Sequence, residues 1–466
     1  MEALYNHFYD YLGGYMFIAL ALFVFTGFPV GLVLGGLALL FALGGIGLGV
    51  MHTSELYLFV ERLWQNAANN QILVAVPCFI FMGIMLEKSQ VADNLLRVLQ
   101  LLLRRVPGGL ALAVALLGTI LAATTGIIGA SVVMLTMMAL PAMLAQKYDV
   151  RLGTGIIAAS ATLGILLPPS VMLVMMADLM AISVGNLFLA AILPGLMLAA
   201  FYCIYVVVIS MIKPQLAPRV EREESEVGAW NLFVLFAKGV LPVSFLIVLV
   251  LGSIFAGWAT PTEASGIGAF GAILLAAFSG RLRRETVDKV CMQTALTSAM
   301  IFLIFGGATA FSYVFRALYG EDLILDFIQW MGLTHWSLLF LLMVVIFLLG
   351  FFFDWLEITL IILPVFAPII ASFAPDFAPA LGIEHLSPED QKSMVLLWFA
   401  ILVSVNLQTS FLTPPFGFAL FFLKGAAPAS VRIKDIYRGV TPFVILQLVG
   451  VLVLALCPSI VFWLLS

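Results

Sequence analysis

Two long apolar stretches of the chain are interrupted near their middles by residues that a lipid environment makes costly. Stretch 109–146 carries Ala123-Thr124-Thr125-Gly126-Ile127-Ile128-Gly129-Ala130-Ser131, and stretch 336–371 carries Gly350-Phe351-Phe352-Phe353-Asp354-Trp355-Leu356-Glu357. Two other apolar runs end in paired prolines, in Gly164-Ile165-Leu166-Leu167-Pro168-Pro169-Ser170 and in Thr409-Ser410-Phe411-Leu412-Thr413-Pro414-Pro415. Glycine lets the chain turn, while proline removes backbone donors and stops a helix, freeing carbonyls. With Thr162, Asn406, Gln408 and the hydroxyls, these places gather neutral oxygens. That donor set suits a dehydrated Na⁺, and half-helix N-termini suit an anionic substrate. Pro168, Ser170, Pro414 and Gln408 are the candidates for contact with that substrate. A plainer reading stands beside each: membrane Ser and Thr often bond back to their own helix, and Asp354 is placed to cap the arm that follows it.

Such backbone breaks need a membrane protein around them, and the composition supplies one. Of 466 residues, 63% are hydrophobic and only 10% charged, against roughly a quarter charged in an average globular chain. The mean hydropathy is +1.17. At roughly 20 apolar residues per span, the length allows on the order of ten spans. The net charge of −4 gives no reason to expect a nucleic-acid partner. Cys78, Cys203, Cys291 and Cys457 are far apart in apolar context and read as buried small hydrophobes. The four histidines are scattered, with no H-E-x-x-H and no G-x-x-x-x-G-K-[ST], so pumping has to draw on an ion gradient or a partner. Asp354 and Glu357 form the one close carboxylate pair inside an apolar segment, and no second segment offers a partner acid or histidine. An enzyme is therefore not expected. No Lys or Arg precedes the first apolar run, so that run is expected to remain as a true helix.

The basic residues orient the segments. Arg97, Arg104 and Arg105 precede stretch 109–146, and Lys147 and Arg151 follow it, so both flanks read as cytoplasmic. Acidic residues flank stretch 336–371 on both sides, so both of its flanks read as external. A segment of 38 or 36 residues that starts and ends on one side is expected to be a re-entrant hairpin rather than two full spans. Threaded this way, the chain has both termini outside. Only Arg62, Arg316 and Lys392 of its 21 Lys and Arg then lie away from the inner face.

The same order of parts occurs twice with opposite orientation. The first repeat covers 1–212, with opening helices in 14–88, a hairpin at 109–146, a broken helix at 152–180 and a helix at 188–212. A cytoplasmic linker, 213–229, leads to the second repeat, 230–466, with helices in 230–315, a hairpin at 336–371, a broken helix at 394–423 and a helix at 439–464. Amphipathic stretches at about 54–68 and 281–291 precede the last opening helix of each repeat. The expected fold is an all-α polytopic membrane protein of two inverted repeats, each with a hairpin and a broken helix. Broken helices at matching places of inverted repeats point to an alternating-access transporter with its site near the midplane.

In ordered motifs the chain resembles the large membrane subunit of the tripartite ATP-independent periplasmic transporters. The stretches that carry the resemblance are Gly27-Phe28-Pro29-Val30, Pro107-Gly108-Gly109-Leu110, Gly164 to Ser170, Leu193-Pro194-Gly195, Thr260-Pro261-Thr262-Glu263-Ala264, Asp354 and Asn406 to Gly417. The resemblance implies an elevator like that of the wider ion-transporter superfamily, in which a scaffold holds a moving domain of hairpins and broken helices. It implies Na⁺ sites where each hairpin tip meets its broken helix, at Thr124, Thr125, Gly129, Ser131 and Gly164, and at Asp354, Asn406, Thr409 and Thr413. It also implies a small four-helix membrane subunit, a periplasmic substrate-binding protein, a carboxylate cargo and residence in the lipid of a bacterial inner membrane. The alternative is a stand-alone Na⁺/anion symporter of the same superfamily.

Overall fold

The computed structural model describes residues 2–89, 91–125, 128–218, 229–414 and 417–465, and among them it is helical with no strand. Eight helices among the described residues are long and apolar enough to cross a membrane, or nine if one bent pair counts as a single span. The chain opens with α1 (Glu2–Val24) and α2 (Val30–Gly47), separated by the Gly27-Phe28-Pro29 turn in which Gly27 has φ +82°. The amphipathic stretch near 54–68 becomes α3 (Glu55–Leu63) and a single π turn, before α4 (Ala75–Lys88). Stretch 109–146 folds as two helices, α6 (Gly109–Thr125) and α7 (Ile128–Ala145), packed on one another. Ahead of them lies α5 (Val91–Leu103), whose Leu95, Leu96, Val98 and Leu99 are buried. The first broken helix is α8 (Val150–Thr162), a 3-10 turn and α9 (Val171–Leu179), after which α10 (Val184–Ile212) closes the first half.

The second half runs through α11 (Ala229–Phe255), α12 (Pro261–Phe278) and α13 (Arg284–Ala317). Thr260 and Glu263 form a reciprocal capping box that starts α12. The expected division between an amphipathic stretch at 281–291 and a separate helix is not found. The 34-residue α13 runs straight through it. No glycine or proline interrupts 284–305, and Glu285 and Lys289 pair across one turn at 2.6 Å, so nothing there ends a helix. Next come α14 (Gly320–Trp330), α15 (His335–Leu349), α16 (Trp355–Ser372) and the short α17 (Ala374–Leu381). The second broken helix is α18 (Pro388–Ser410) and α19 (Phe418–Ala426), followed by α20 (Ile433–Leu456) and α21 (Ser459–Phe462).

The helices gather in two compact units, each drawn from both halves of the chain. Residues 1–73, 296–344 and 355–396 form one. In it α1 packs on α2 and α14, and the Phe17 ring stands edge-on to Phe311 and Phe315. The other unit holds 74–295, 345–354 and 397–466, and so contains the first hairpin, the first broken helix, the tip of the second hairpin and the second helix break. Its α4 lies along α12, and its α8 is flanked by α6, α7 and α20.

Contact between α8 and α20 is at backbone distance, because Gly155 faces the carbonyl of Gly439 with no room for a side chain. An Arg151–Asp435 ion pair at 3.6 Å and a Trp398 Nε1–H bond to the Leu454 carbonyl at 3.0 Å secure α20 further. Replacing Gly439 by Val forces α8 and α20 apart. Overpacking of this kind costs about 1–3 kcal/mol, and the expected result is a lower unfolding temperature of the detergent-solubilised protein, read by intrinsic tryptophan fluorescence.

Candidate functional site

The first break is built by caps. Asp149 caps α8, its carboxylate accepting from the backbone N–H of Arg151 at 2.8 Å and Leu152 at 3.4 Å. At the other end Leu166 and Leu167 both donate to the Leu163 carbonyl, and Pro168 and Pro169, joined by a cis peptide bond, supply no N–H. Ser170 then starts α9. Its hydroxyl donates to the Ile165 carbonyl across the break and accepts from the Leu173 N–H at 3.4 Å. Thr162 bonds back to the Ala159 carbonyl at 2.9 Å. Gly164 is buried in the 3-10 turn, which packs against α6.

The second break is made differently. Thr409 donates to the Asn406 carbonyl and Thr413 to the Thr409 carbonyl, each at 2.6 Å, so both hydroxyls wind the end of α18 back on itself. Gly417 N–H bonds to the Thr413 carbonyl at 3.1 Å and leads into α19. Pro414 is half-buried, and Pro415 lies outside the described residues. Immediately before Thr409 sits Gln408, fully buried, with neither its amide oxygen nor its amide nitrogen partnered. The Ser410 hydroxyl is likewise buried and unpartnered. Leaving such groups unpaired costs about 1–3 kcal/mol each. The α18 break therefore holds hydrogen-bonding capacity that the fold itself does not use.

Both hairpin tips reach these elements. Gly350, in the second tip, lies directly on Ser410, where any side chain would run into the serine hydroxyl. Asp354 is half-buried four residues on, at the start of α16, and is engaged in an interaction, as are Asn406 and Ser131. In the first hairpin, Thr124 and Thr125 end α6, and their side chains, with Gly126, fall outside the described residues. Gly129 stands in the first turn of α7 against the Phe422 ring of α19, where a Cβ would come within 2.8 Å of two ring carbons. The first tip thus meets the second broken helix, a contact across the halves that matching each tip to its own repeat does not anticipate. The two broken helices also touch, with the Ser404 hydroxyl of α18 at 3.2 Å from the Met176 sulfur of α9.

Sequence reasoning passed over one buried polar pair. Gln447, the lone amide in the apolar part of α20, donates to the Tyr202 hydroxyl of α10 at 2.9 Å, and its amide oxygen has no partner. A single amide among some twenty apolar residues was the available signal. Among the described residues no three His, Cys, Asp or Glu side chains cluster as a metal site.

Comparisons with known proteins converge. Residues 17–460 match the sequence model of the family described as tripartite ATP-independent periplasmic transporter, DctM component. The large permease protein of a C4-dicarboxylate transporter from Pseudomonas aeruginosa is 28% identical, covering 85% of this chain and 86% of its own. An isethionate transporter permease protein, DctMQ, from Oleidesulfovibrio alaskensis is 29% identical over 94% of this chain and 64% of its own. A sialic acid transporter large permease protein from Vibrio cholerae is 25% identical, covering 91% and 96%. Among solved structures, the YdaH transporter of Alcanivorax borkumensis shares the fold with a TM-score of 0.59 at 16% identity, covering 87% of this chain and 89% of that one.

The contrast between satisfied and unsatisfied groups separates two kinds of variant. Ser170→Ala removes a cap and is expected to destabilise by about 1 kcal/mol. Gln408→Leu removes an unpartnered buried amide and is expected to leave the unfolding temperature unchanged or higher while transport falls. Thermal unfolding and uptake measured on the same preparations check both.

Proposed function

The chain belongs to the DctM component family of the tripartite ATP-independent periplasmic transporters, a permease subunit and not an enzyme, and from that premise we propose that it imports an organic acid at the expense of a Na⁺ gradient. In this reading it is the large multi-pass subunit in the bacterial inner membrane. A periplasmic binding protein delivers the carboxylate, and a small four-helix membrane subunit completes the complex. Several relatives are named for organic acids, among them a C4-dicarboxylate and sialic acid, which supports a carboxylate as cargo. The isethionate relative, whose name joins M and Q, is matched over only 64% of its length, leaving room in it for a second membrane subunit.

The observation that carries the mechanism is the unused polar capacity at the α18 break, where Gln408 and Ser410 are buried without partners and Ser410 lies against Gly350 of the second tip. An anion and a cation supply what these groups lack. The Gln408 amide nitrogen donates to a carboxylate oxygen, while its oxygen and the Ser410 hydroxyl offer neutral ligands. Na⁺ is held where each tip meets a break, by oxygens of Thr124, Thr125, Gly129, Ser131 and Gly164 on one side and Asp354, Asn406, Thr409 and Thr413 on the other. Back-bonded hydroxyls such as Thr409 and Thr413 keep lone pairs for a cation. Substrate then bridges the breaks near Pro168, Ser170, Pro414 and Gln408. The hairpins and broken helices, in an inverted-repeat arrangement, carry both across as an elevator.

Affinity capture of the tagged chain from its native membrane, read by mass spectrometry, identifies the small subunit and leads to the binding protein. Reconstituted together in vesicles, the three are expected to accumulate acid only with an inward Na⁺ gradient and only with the loaded binding protein. Uptake by this chain alone makes it a stand-alone Na⁺/anion symporter, and uptake without Na⁺ removes the coupling. Thr413→Val is expected to raise the half-saturating Na⁺ concentration roughly tenfold, about 1.4 kcal/mol.

A further inference from the structure

At the foot of the first hairpin a small, partly open cavity of ≈ 20 Å³ lies between Gln100 of α5, Arg104 just after that helix, Leu110 in the first turn of α6, Gln146 and Tyr148 between α7 and α8, and Pro218 of the linker. The parts around it are firmly held. The start of α6 lies on the Leu103 carbonyl at the end of α5, where Gly109 leaves no room for a side chain. The Asp149 N–H bonds to the Leu216 carbonyl at 2.9 Å, tying the linker to the turn after α7. The cavity is a built feature of these elements.

Its polar side chains are those of Gln100, Arg104, Gln146 and Tyr148. Arg104 makes no ion pair with any described residue. The Gln146 amide oxygen is buried and has no hydrogen-bond partner. Exchange of the amide's oxygen and nitrogen, which are chemically close in shape, turns that orphan into a donor. Tyr148 is 4% exposed. Burial pushes its phenol up from the ordinary value, partly offset by the Leu110 backbone N–H acting on its oxygen, so the phenol keeps its proton as a donor at neutral pH. The positive end of the α6 dipole adds to the field. Among the described residues no carboxylate lines the cavity, and neighbouring Asp149 is spent capping α8. Arg105 and Lys147 stand exposed beside it.

A guanidinium, a phenol O–H, two amides and a helix N-terminus around a space that admits one oxygen-sized group suit a tetrahedral oxyanion whose remaining oxygens stay at the mouth. The density of Lys and Arg on this side marks it as the cytoplasmic face, where anionic headgroups lie level with the helix ends. We propose that this cavity binds the phosphate of an anionic phospholipid headgroup, and that the lipid ties the foot of the first hairpin to α5 and the linker. The assignment does not depend on what the protein transports. It requires only that these helix ends meet a lipid leaflet.

The test uses the purified chain in detergent, stripped of lipid, with phosphatidylglycerol, phosphatidylcholine or inorganic phosphate added. Thermal unfolding and native mass spectrometry are the readouts. Phosphatidylglycerol is expected to raise the unfolding temperature by several degrees and to remain bound as a discrete adduct, with phosphatidylcholine doing less. Arg104→Gln and Tyr148→Phe are each expected to lose that shift and that adduct, while Arg105→Gln keeps both. If Arg104→Gln does not fold, Tyr148→Phe, which preserves the buried ring, decides alone. Equal stabilisation of wild type and both variants overturns the proposal, as does the absence of a retained lipid. A shift reproduced by inorganic phosphate and abolished by Tyr148→Phe retains the phosphate chemistry and overturns the lipid as its source.

Discussion

Backbone amides and carbonyls cannot be left unpaired in hydrocarbon, and this constraint organises the protein around its two helix breaks. Both broken helices lose the regular ladder within apolar sequence, α8 before Pro168 and α18 at Ser410. The cost is bearable only where other helices exclude lipid. Every residue from 152 through 177 and from 397 through 412 is buried. By contrast α10, an unbroken 29-residue helix, leaves Leu196, Ile204, Val208 and Met211 exposed, as a helix that satisfies its own backbone is free to do. The positions of α6, α7 and α20 around α8, and the glycine contact that lets α20 approach so closely, follow from the need to cover a break.

The covering explains which parts of the sequence were legible. Paired prolines flanked by hydroxyls announce a break wherever they fall in an apolar run, and both breaks lie where those residues are. The Thr and Gly residues at the centre of 109–146 likewise mark where α6 gives way to α7. Short helices with charged faces were less legible. Neither α5, α14 nor α17 stands out among the apolar runs, because each mixes acidic, basic or proline residues with its buried positions and shows no long hydrophobic stretch. The continuity of α13 was missed for the opposite reason. A change from amphipathic to apolar sequence suggests a boundary, yet a helix ends only where a cap, glycine or proline ends it.

Contacts between the halves were not legible at all. A repeat pattern says which parts correspond but not which parts touch. The Gly129–Phe422 contact joins a hairpin of the first half to the broken helix of the second, and neither residue is unusual in its own surroundings. The same holds for Ser404 against Met176 and for Gln447 with Tyr202. Such partners are chosen by packing in three dimensions. The compact units accordingly cut across the halves, with residues 345–354 and 397–466 grouped with 74–295.

The breaks correspond in sequence yet differ in chemistry. At the first, Ser170 spends its hydroxyl on the chain itself, accepting from one side of the break and donating to the other, and Thr162 bonds back to its own helix. What remains is a bend with its described hydroxyls engaged. At the second, Thr409 and Thr413 do the equivalent winding, but Gln408 and Ser410 are buried as well and bonded to nothing. Burying an unpartnered amide costs about 1–3 kcal/mol, whereas burying a leucine of similar size is favourable, so a stability-optimised chain would not place an amide there. Burial without a partner is tolerable when a ligand supplies the partner during the working cycle, which moves the cost from the fold to the unliganded state. On the proposed function, this unused capacity places the larger share of recognition at the second break. Two breaks of similar sequence thus leave unequal polar capacity.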